Sequence, residues 1–257
     1  MLGGMHYVTY APLAAAVSNA GGLGTITAVT QPSPEHLRKE IHKMRTLTDK
    51  PFAVNLSFLP AGNPPDYAAF IKVIIDEGVK VVETAGGRPG KWIAMLRDAG
   101  IYVIHKCVNA RHGLAAVKDG ACMLSIDGSE CGGHPGPSNS QTGGFLLMAM
   151  VKKELGDVPF ICSGGVGCGE QLAAALALGA EGVNMGTRFM ATQEAAIHDN
   201  IKKALVESSY TQTTLIMDTL KNTERVFLNE EALSAQKAEK ERPGDFEVVR
   251  EFVSGSK

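Results

Sequence analysis

Several features that mark large classes of protein are missing from this sequence. Its 257 residues carry a formal net charge of only −2 at pH 7, so it lacks the basic footprint of a nucleic-acid binding protein. Charged residues or glycine interrupt every long apolar run, which argues against a membrane span of roughly 18 residues. Residues 1–5 lack the basic and apolar regions of a secretory signal. We therefore expect a cytoplasmic protein with neither a nucleic-acid nor a membrane partner.

Cysteine is scarce and unsuitably spaced for cross-linking. The five cysteines are an odd number and form no C-x-x-C pair, which argues against a disulfide framework or a structural zinc site. No metal site is expected. Cys107, Cys122 and Cys162 lie in or beside β-type apolar runs. This placement predicts buried thiols in a reducing compartment.

The sequence is rich in glycine, and its short apolar runs recur regularly. It has 29 glycines and is 44% hydrophobic, enough for the core of one large domain. Short β-branched runs alternate with amphipathic helical stretches. The predicted strands are residues 24–29, 51–57, 79–86, 101–108, 121–128, 158–164 and 180–187. They are nearly continuous apolar runs, as in a buried parallel sheet.

This alternation predicts an α/β fold, specifically a (β/α)8 TIM barrel. A helix at residues 11–19 precedes the first predicted strand, and its own strand has only residues 1–5 available. Counting that unit gives the eight β/α units of such a barrel. We therefore predict a barrel over residues 1–190. From residue 191 the sequence becomes charged and helical, which predicts a small helical appendage over residues 191–257, with helices at 195–207, 214–221, 229–240 and 246–253.

In such barrels the carboxyl ends of the strands carry the functional site. Gly164 and Gly165 lie at the end of the predicted strand 158–164, and Gly186 and Thr187 lie at the end of the predicted strand 180–187. These are the seventh and eighth strands when residues 1–5 are counted as the first. Exposed backbone N–H groups at two neighbouring strand ends would form a cradle for a phosphate. The alternative is that these glycines serve only tight turns.

Three other residues at this end are candidates for chemistry. His134 lies between Gly133 and Pro135, so a loop presents it, and its imidazole suits proton abstraction near neutral pH. Lys106 could meet an anionic ring or phosphate, or its chain could simply extend from the rim into solvent. Asn55 could hydrogen-bond a planar heterocycle, or be an ordinary satisfied amide.

Taken together, these segments resemble the FMN-dependent nitronate monooxygenase (2-nitropropane dioxygenase) family. The resemblance is carried by motifs such as VVETAG, SIDGSECGGHPG and NMGTRFMAT, and it is closest to a subgroup of NADH:quinone reductases. The matching segments span nearly the whole chain: residues 3–5, 14–24, 47–60, 81–86, 105–107, 125–136, 163–180 and 184–192.

The resemblance implies non-covalent FMN, with His134 as the base or substrate-orienting residue. The implied cofactor-binding residues are Gly4, Met5, Asn55, Ser57, Lys106, Gly133, Gly164, Gly165, Gly186 and Thr187. It also implies that the first strand is truncated and that residues 191–257 form a substrate-covering subdomain whose return to the barrel is missing. A monomer or a homodimer is expected.

Several functions remain open on this evidence. The first is oxidation of alkyl nitronates with O2, with FMN as the redox centre. The second is NAD(P)H-dependent quinone reduction on the same flavin, and reduction of enoyl thioesters is related to it. The third, from another class, is a non-catalytic truncated barrel that binds a phosphorylated ligand.

Overall fold

The structure, a computed structural model, describes residues 1–58 and 64–253. Residues 59 and 60, which end one of the family-like segments, lie outside the described residues. Residues 254–257, the end of the predicted appendage, also lie outside them.

The described chain is built around one parallel sheet of seven strands. The strands occur in the sheet in chain order. They are β1 (Gly24–Thr27), β2 (Phe52–Phe58), β3 (Val81–Gly86), β4 (Tyr102–Cys107), β5 (Met123–Asp127), β6 (Phe160–Ser163) and β7 (Val183–Asn184). The helices that precede or follow these strands are α1 (Ala11–Asn19), α2 (Pro34–Leu47), α3 (Tyr67–Asp76), α4 (Lys91–Asp98), α5 (Ala110–Lys118), α6 (Gly144–Leu155) and α7 (Gly169–Ala177). The predicted alternating α/β fold is confirmed.

The sheet curls strongly. Asn184 on β7 donates a hydrogen bond across to Glu83 on β3 at 2.8 Å, although three strands separate them in the sheet order. The N-terminal segment hydrogen-bonds to both edges of the sheet. The Leu2 N–H donates to the Leu23 carbonyl just before β1, and the Gly3 N–H donates to the Met185 carbonyl just after β7, each at 2.9 Å. Residues 1–3 therefore lie between the first and the last strand.

Local sequence explains where the helices begin. Ser33 accepts a hydrogen bond from the His36 N–H and is followed by Pro34, as the sequence predicts for the start of α2. Asn109 caps α5 in the same way. The inward faces of the helices pack on strands whose side chains are fully buried, among them Ile26 and Leu124. This apolar layer between sheet and helices fixes the strand ends that form the site.

Six of the seven predicted strands are shorter in the structure, and for β1 and β7 the neighbouring structure shows why. β1 ends at Thr27 because residues 28–30 form a 3-10 turn. β7 keeps only two residues. Met185 forms an isolated bridge with Leu2 instead, and a short helix, α8 (Thr187–Met190), starts two residues later.

The predicted all-helical nature of the appendage is wrong. Residues 214–221 do not form a helix, because Thr213–Ile216 (β8) pairs antiparallel with Glu224–Phe227 (β9). The other elements are α9 (Asp199–Glu207), α10 (Glu230–Glu241) and α11 (Phe246–Val253). Gln236 of α10 donates to the Thr214 hydroxyl and to the Leu215 carbonyl, both at 2.7 Å. This tertiary contact holds the hairpin in extended form, where sequence periodicity alone favours a helix.

The hairpin and the last helices have their own apolar cluster, which includes Ile216, Ala235 and Val249. Ala195 belongs instead to the cluster of the sheet and its helices. The division of the chain at residue 190 stays a prediction. In the described part of the chain, every helix falls short of the length and apolar character required to span a bilayer.

Candidate active site

A buried carboxylate organises the inner face of the curled sheet. Glu83 is fully buried in β3, and its Oε2 accepts hydrogen bonds from the Gly4 N–H at 2.9 Å and from Asn55 Nδ2 at 2.7 Å. Its Oε1 accepts from Asn184 Nδ2, which also lies 3.1 Å from the Ser125 hydroxyl. A buried carboxylate is tolerated where several donors satisfy it. Glu83 therefore ties the N-terminal segment to β2 and β7.

Four predicted cofactor residues cluster around this carboxylate. Ser57 donates from its hydroxyl to Asn55 Oδ1 at 3.1 Å, so the Asn55 amide is oriented at both ends. A Cβ added to Gly4 would overlap the Asn55 side chain, which shows how closely the two are packed. The Met5 sulfur would stand 3.2 Å from a Cβ added to Gly186. The structure thus brings Gly186 to the same group.

Lys106 and Asp127 form an ion pair at the ends of β4 and β5. Lys106 Nζ lies 3.3 Å from Asp127 Oδ2, and the Asp127 side chain is only 5% exposed. Burial is the largest single effect and lowers the pKa of Lys106, but the negative charges of Asp127, Cys131 and Glu83 and the hydrogen bond to Asp127 together outweigh it and raise that pKa. Lys106 is therefore a permanent cation at physiological pH. The other Asp127 oxygen, Oδ1, is buried and has no hydrogen-bond partner among the described residues.

The predicted phosphate cradle has unpaired amides. The N–H groups of Gly164, Gly165, Gly186 and Thr187 make no hydrogen bond to the described part of the chain. Gly164 has φ +85°, and a Cβ there would lie 2.7 Å from the Cys131 amide nitrogen, so only glycine fits. Thr187 opens α8 and lies close to Gly132. Loop 128–134 therefore contacts both halves of the cradle.

The appended hairpin holds the loop that carries His134. Gly133 and Arg225 exchange two backbone hydrogen bonds, at 3.1 and 2.6 Å, and form an isolated antiparallel bridge. His134 Nδ1 lies 3.3 Å from the Thr223 carbonyl oxygen. A carbonyl only accepts, so this contact places the ring proton of the neutral imidazole on Nδ1. Nε2 is then the nitrogen with a free lone pair.

Sequence reasoning missed three residues of this site. Glu83, Asn184 and Arg225 were not singled out, although they hold Gly4, Asn55 and Gly133 in place. For Glu83 a signal exists in the sequence, namely a lone charged residue inside the apolar run VVETAG. Arg225 has no such signal, because its role depends on the hairpin.

Two buried cysteines near the site are unsuited to nucleophilic chemistry. Burial raises the pKa of the Cys107 and Cys131 thiols to about 12. Thiols with so high a pKa are poor nucleophiles. Among residues 1–58 and 64–253, no three or more His, Cys, Asp or Glu side chains are grouped so that they could hold a metal ion.

The fold and the site define a class before any comparison with other proteins. A curled parallel α/β sheet with a glycine cradle, a cation and a loop histidine at its carboxyl edge is typical of enzymes that bind a phosphorylated cofactor. The unpaired cradle amides and the partly exposed Lys106 cation fit an anionic phosphorylated cofactor such as FMN.

Comparisons with known proteins identify the family. Residues 1–72 and 61–253 match the nitronate monooxygenase family. The nitronate monooxygenase of Paraburkholderia phytofirmans is 32% identical over 250 residues, covering 82% of this chain and 68% of that protein. The chain therefore belongs to the nitronate monooxygenase family of flavin oxidoreductases. The resemblance inferred from the sequence motifs is confirmed.

Two further relatives have other names. A (3aS,4S,5R,7aS)-5-hydroxy-7a-methyl-1-oxo-octahydro-1H-indene-4-carboxyl-CoA dehydrogenase of Rhodococcus jostii is 38% identical and covers 82% of this chain. The structure of FabK from Thermotoga maritima superposes with a TM-score of 0.89 at 36% identity, covering 99% of this chain and 78% of that one. The chain spans only 57% of the Rhodococcus protein's length.

Proposed function

We propose that the protein is an FMN-dependent oxidoreductase built on a (β/α)8 TIM barrel. Residues 1–3 serve as the eighth strand, since they hydrogen-bond to both edges of the seven-stranded sheet. FMN, when bound, supplies hydride or electron transfer. The amides of Gly164, Gly165, Gly186 and Thr187 would hold its phosphate. The residues around its ring and ribityl chain would be Gly4, Met5, Asn55, Ser57, Lys106 and Gly133.

This proposal rests mainly on one observation: the cradle amides without hydrogen-bond partners lie beside the loop that carries the oriented His134. Four unpaired N–H groups lie at the neighbouring ends of β6 and β7, where loop 128–134 contacts both, and that loop ends on His134 with Nε2 free. A neutral imidazole with one free nitrogen can accept a proton from an acidic C–H group or return one to a carbanion. Such C–H groups lie next to a nitro group or a thioester carbonyl.

For the substrate, we propose an acyl thioester first and an alkyl nitronate second. The thioester is favoured by the relative of 38% identity, a carboxyl-CoA dehydrogenase. The nitronate, the first expectation from sequence, is supported by the family match and by a relative of 32% identity. With a thioester or a nitroalkane, His134 would move a proton at the carbon next to the activating group. An alkyl nitronate has already lost that proton, so His134 would only hold and orient it. The two activities also differ in the final electron acceptor.

The first experiment is an absorbance spectrum of the purified protein between roughly 350 and 500 nm. A bound flavin gives a yellow preparation, and FMN released by heat confirms the identity of the cofactor. A colourless protein that stays colourless when FMN is supplied would contradict the proposal. It would favour a non-catalytic barrel that binds another phosphorylated ligand.

The substrate is then assigned by anaerobic mixing. Crotonyl-CoA with NADH tests the thioester, propionate 3-nitronate tests the nitronate, and NADH with benzoquinone tests quinone reduction. The thioester proposal predicts that NADH bleaches the flavin and that crotonyl-CoA restores its colour. Bleaching by the nitronate, with no response to the thioester, would reverse the order.

His134→Asn tests the acid–base assignment. We expect turnover to fall by ~10²–10⁴-fold with FMN still bound, because general acid–base help is lost. His36→Asn, on the exposed first turn of α2, is the matched control and should keep full turnover. Unchanged turnover in His134→Asn would make this histidine a structural loop residue.

A further inference from the structure

The Lys106–Asp127 pair faces the same interior as the Glu83 cluster. Lys106 lies opposite Ser125 in the register of β4 and β5, and Asp127 lies two residues further along β5. Side chains two apart on a strand point to the same face, so Lys106, Ser125 and Asp127 share the inner face. Ser125 meets Asn184 there. The charge pair therefore stands at the mouth of the curled sheet, beside the predicted cofactor residues.

The pair is incompletely satisfied as it stands. Asp127 Oδ2 faces the Lys106 ammonium, but Oδ1 is buried and has no hydrogen-bond partner among the described residues. A bare buried carboxylate oxygen is unfavourable, and in native proteins such an atom usually marks a missing donor. An ammonium carries three N–H donors, so Lys106 can serve Asp127 and a second acceptor together. With 20% of its side chain exposed, Lys106 thus offers a cation to a ligand, while Asp127 Oδ1 is enclosed by the protein.

We propose that Lys106 and Asp127 set the reduction potential of the bound flavin. Lys106 would stabilise the negative charge that reduction adds to bound FMN, while the Asp127 carboxylate would offset part of the Lys106 charge. Hydride transfer from a reduced nicotinamide carries two electrons and one proton, so it adds one negative charge to the flavin and leaves the oxidised nicotinamide cation. The inference rests on the proposed function, since it requires bound FMN.

Two substitutions with opposite expected signs test this pairing. Lys106→Met removes the cation, so the reduced flavin should bind about tenfold more weakly relative to the oxidised form. Asp127→Asn removes the opposing negative charge, so the reduced flavin should bind about tenfold more tightly relative to the oxidised form. A tenfold change corresponds to ~30 mV for a two-electron couple. Midpoint potentials measured against reference dyes at pH 6.5 should therefore rank Asp127→Asn above wild type and wild type above Lys106→Met.

Controls separate this effect from damage to the fold. Lys106→Arg keeps the cation and should keep the wild-type potential, even if Asp127→Asn fails to fold. Lys153→Met removes a lysine from the exposed face of α6 and should change nothing. Far-UV circular dichroism and oxidised-FMN affinity are recorded for every variant.

The outcomes are distinguishable. If wild type binds no FMN, the proposed function fails. If FMN binds but Lys106→Met and Asp127→Asn leave the potential unchanged, or shift it in the same direction, the charge-pair inference is wrong while the proposed function stands. If the flavin midpoint potential of Lys106→Arg is as low as that of Lys106→Met, the charge-pair inference is also wrong.

Discussion

A buried histidine behind the sheet makes the stability of this protein depend on pH. His105 on β4 is only 4% exposed, and its Nδ1 lies 2.8 Å from the Thr84 hydroxyl on β3. Burial lowers the pKa of His105 to about 4, against the weaker opposing effect of the Asp119 charge. The folded protein therefore keeps this imidazole neutral at pH values where an unfolded chain protonates it.

The expected size of the effect follows from the two pKa values. The unfolded pKa is 6.5 and the folded pKa is about 4. Between these values the unfolded state binds the extra proton, so the free energy of unfolding falls as the pH falls. At about 1.4 kcal/mol per pKa unit, the full loss is ~3 kcal/mol. Between pH 7.5 and pH 5.0 it amounts to ~2 kcal/mol, and below the folded pKa it levels off.

The assay is urea unfolding of wild type and His105→Asn at pH 7.5 and pH 5.0, with matched flavin content. We expect the variant to lose ~2 kcal/mol less than wild type over this interval, because other titrating groups are common to both. His36→Asn, at an exposed position on α2, is the control and should behave like wild type. If His105→Asn loses stability as steeply as wild type, protonation of His105 is not the cause.

Three further substitutions probe the site. Gly186→Val should lose flavin, since its Cβ would stand 3.2 Å from a methionine sulfur and block the phosphate approach; normal flavin content would refute the cradle. Gly164→Ala should lower the free energy of unfolding by ~1–3 kcal/mol, because φ is +85° and a backbone nitrogen lies 2.7 Å away. Gly169→Ala, with open space around it, is the control, and equal urea midpoints for the two variants would contradict this reasoning. Glu83→Gln should lower the free energy of unfolding by ~2–3 kcal/mol, because the new amide N–H₂ faces one of three donors. A urea midpoint equal to that of wild type would mean that the network rearranges at no cost.

The parts of the fold that sequence predicts well are those that local patterns determine. Apolar strand runs, the Ser33–Pro34 start of α2 and the glycines after β6 can be recognised within a few neighbouring residues. The hairpin of β8 and β9 cannot. Its strands are short and half-exposed, and its extended form depends on Gln236, more than twenty positions along the chain from Thr214.

The same distinction applies to the site. The glycines and His134 stand out because loop sequence alone exposes them. The Glu83 network is invisible in one dimension, since Gly4, Asn55 and Asn184 meet only when the sheet curls. Its single signal in the sequence is a carboxylate inside an apolar strand. The role of that carboxylate can be inferred only when the groups that donate hydrogen bonds to it are known.

The bridge between Gly133 and Arg225 couples the histidine loop to a segment far away in the chain. His134 and the carbonyl of Thr223 are 89 positions apart, yet the second fixes the tautomer of the first. Coupling of this kind is reciprocal. If the hairpin strengthens binding of a substrate to the His134 imidazole, then the bound substrate stabilises the hairpin by the same free energy. Substitutions in the hairpin should therefore change the proposed proton-transfer step without touching the sheet that we propose to bind FMN.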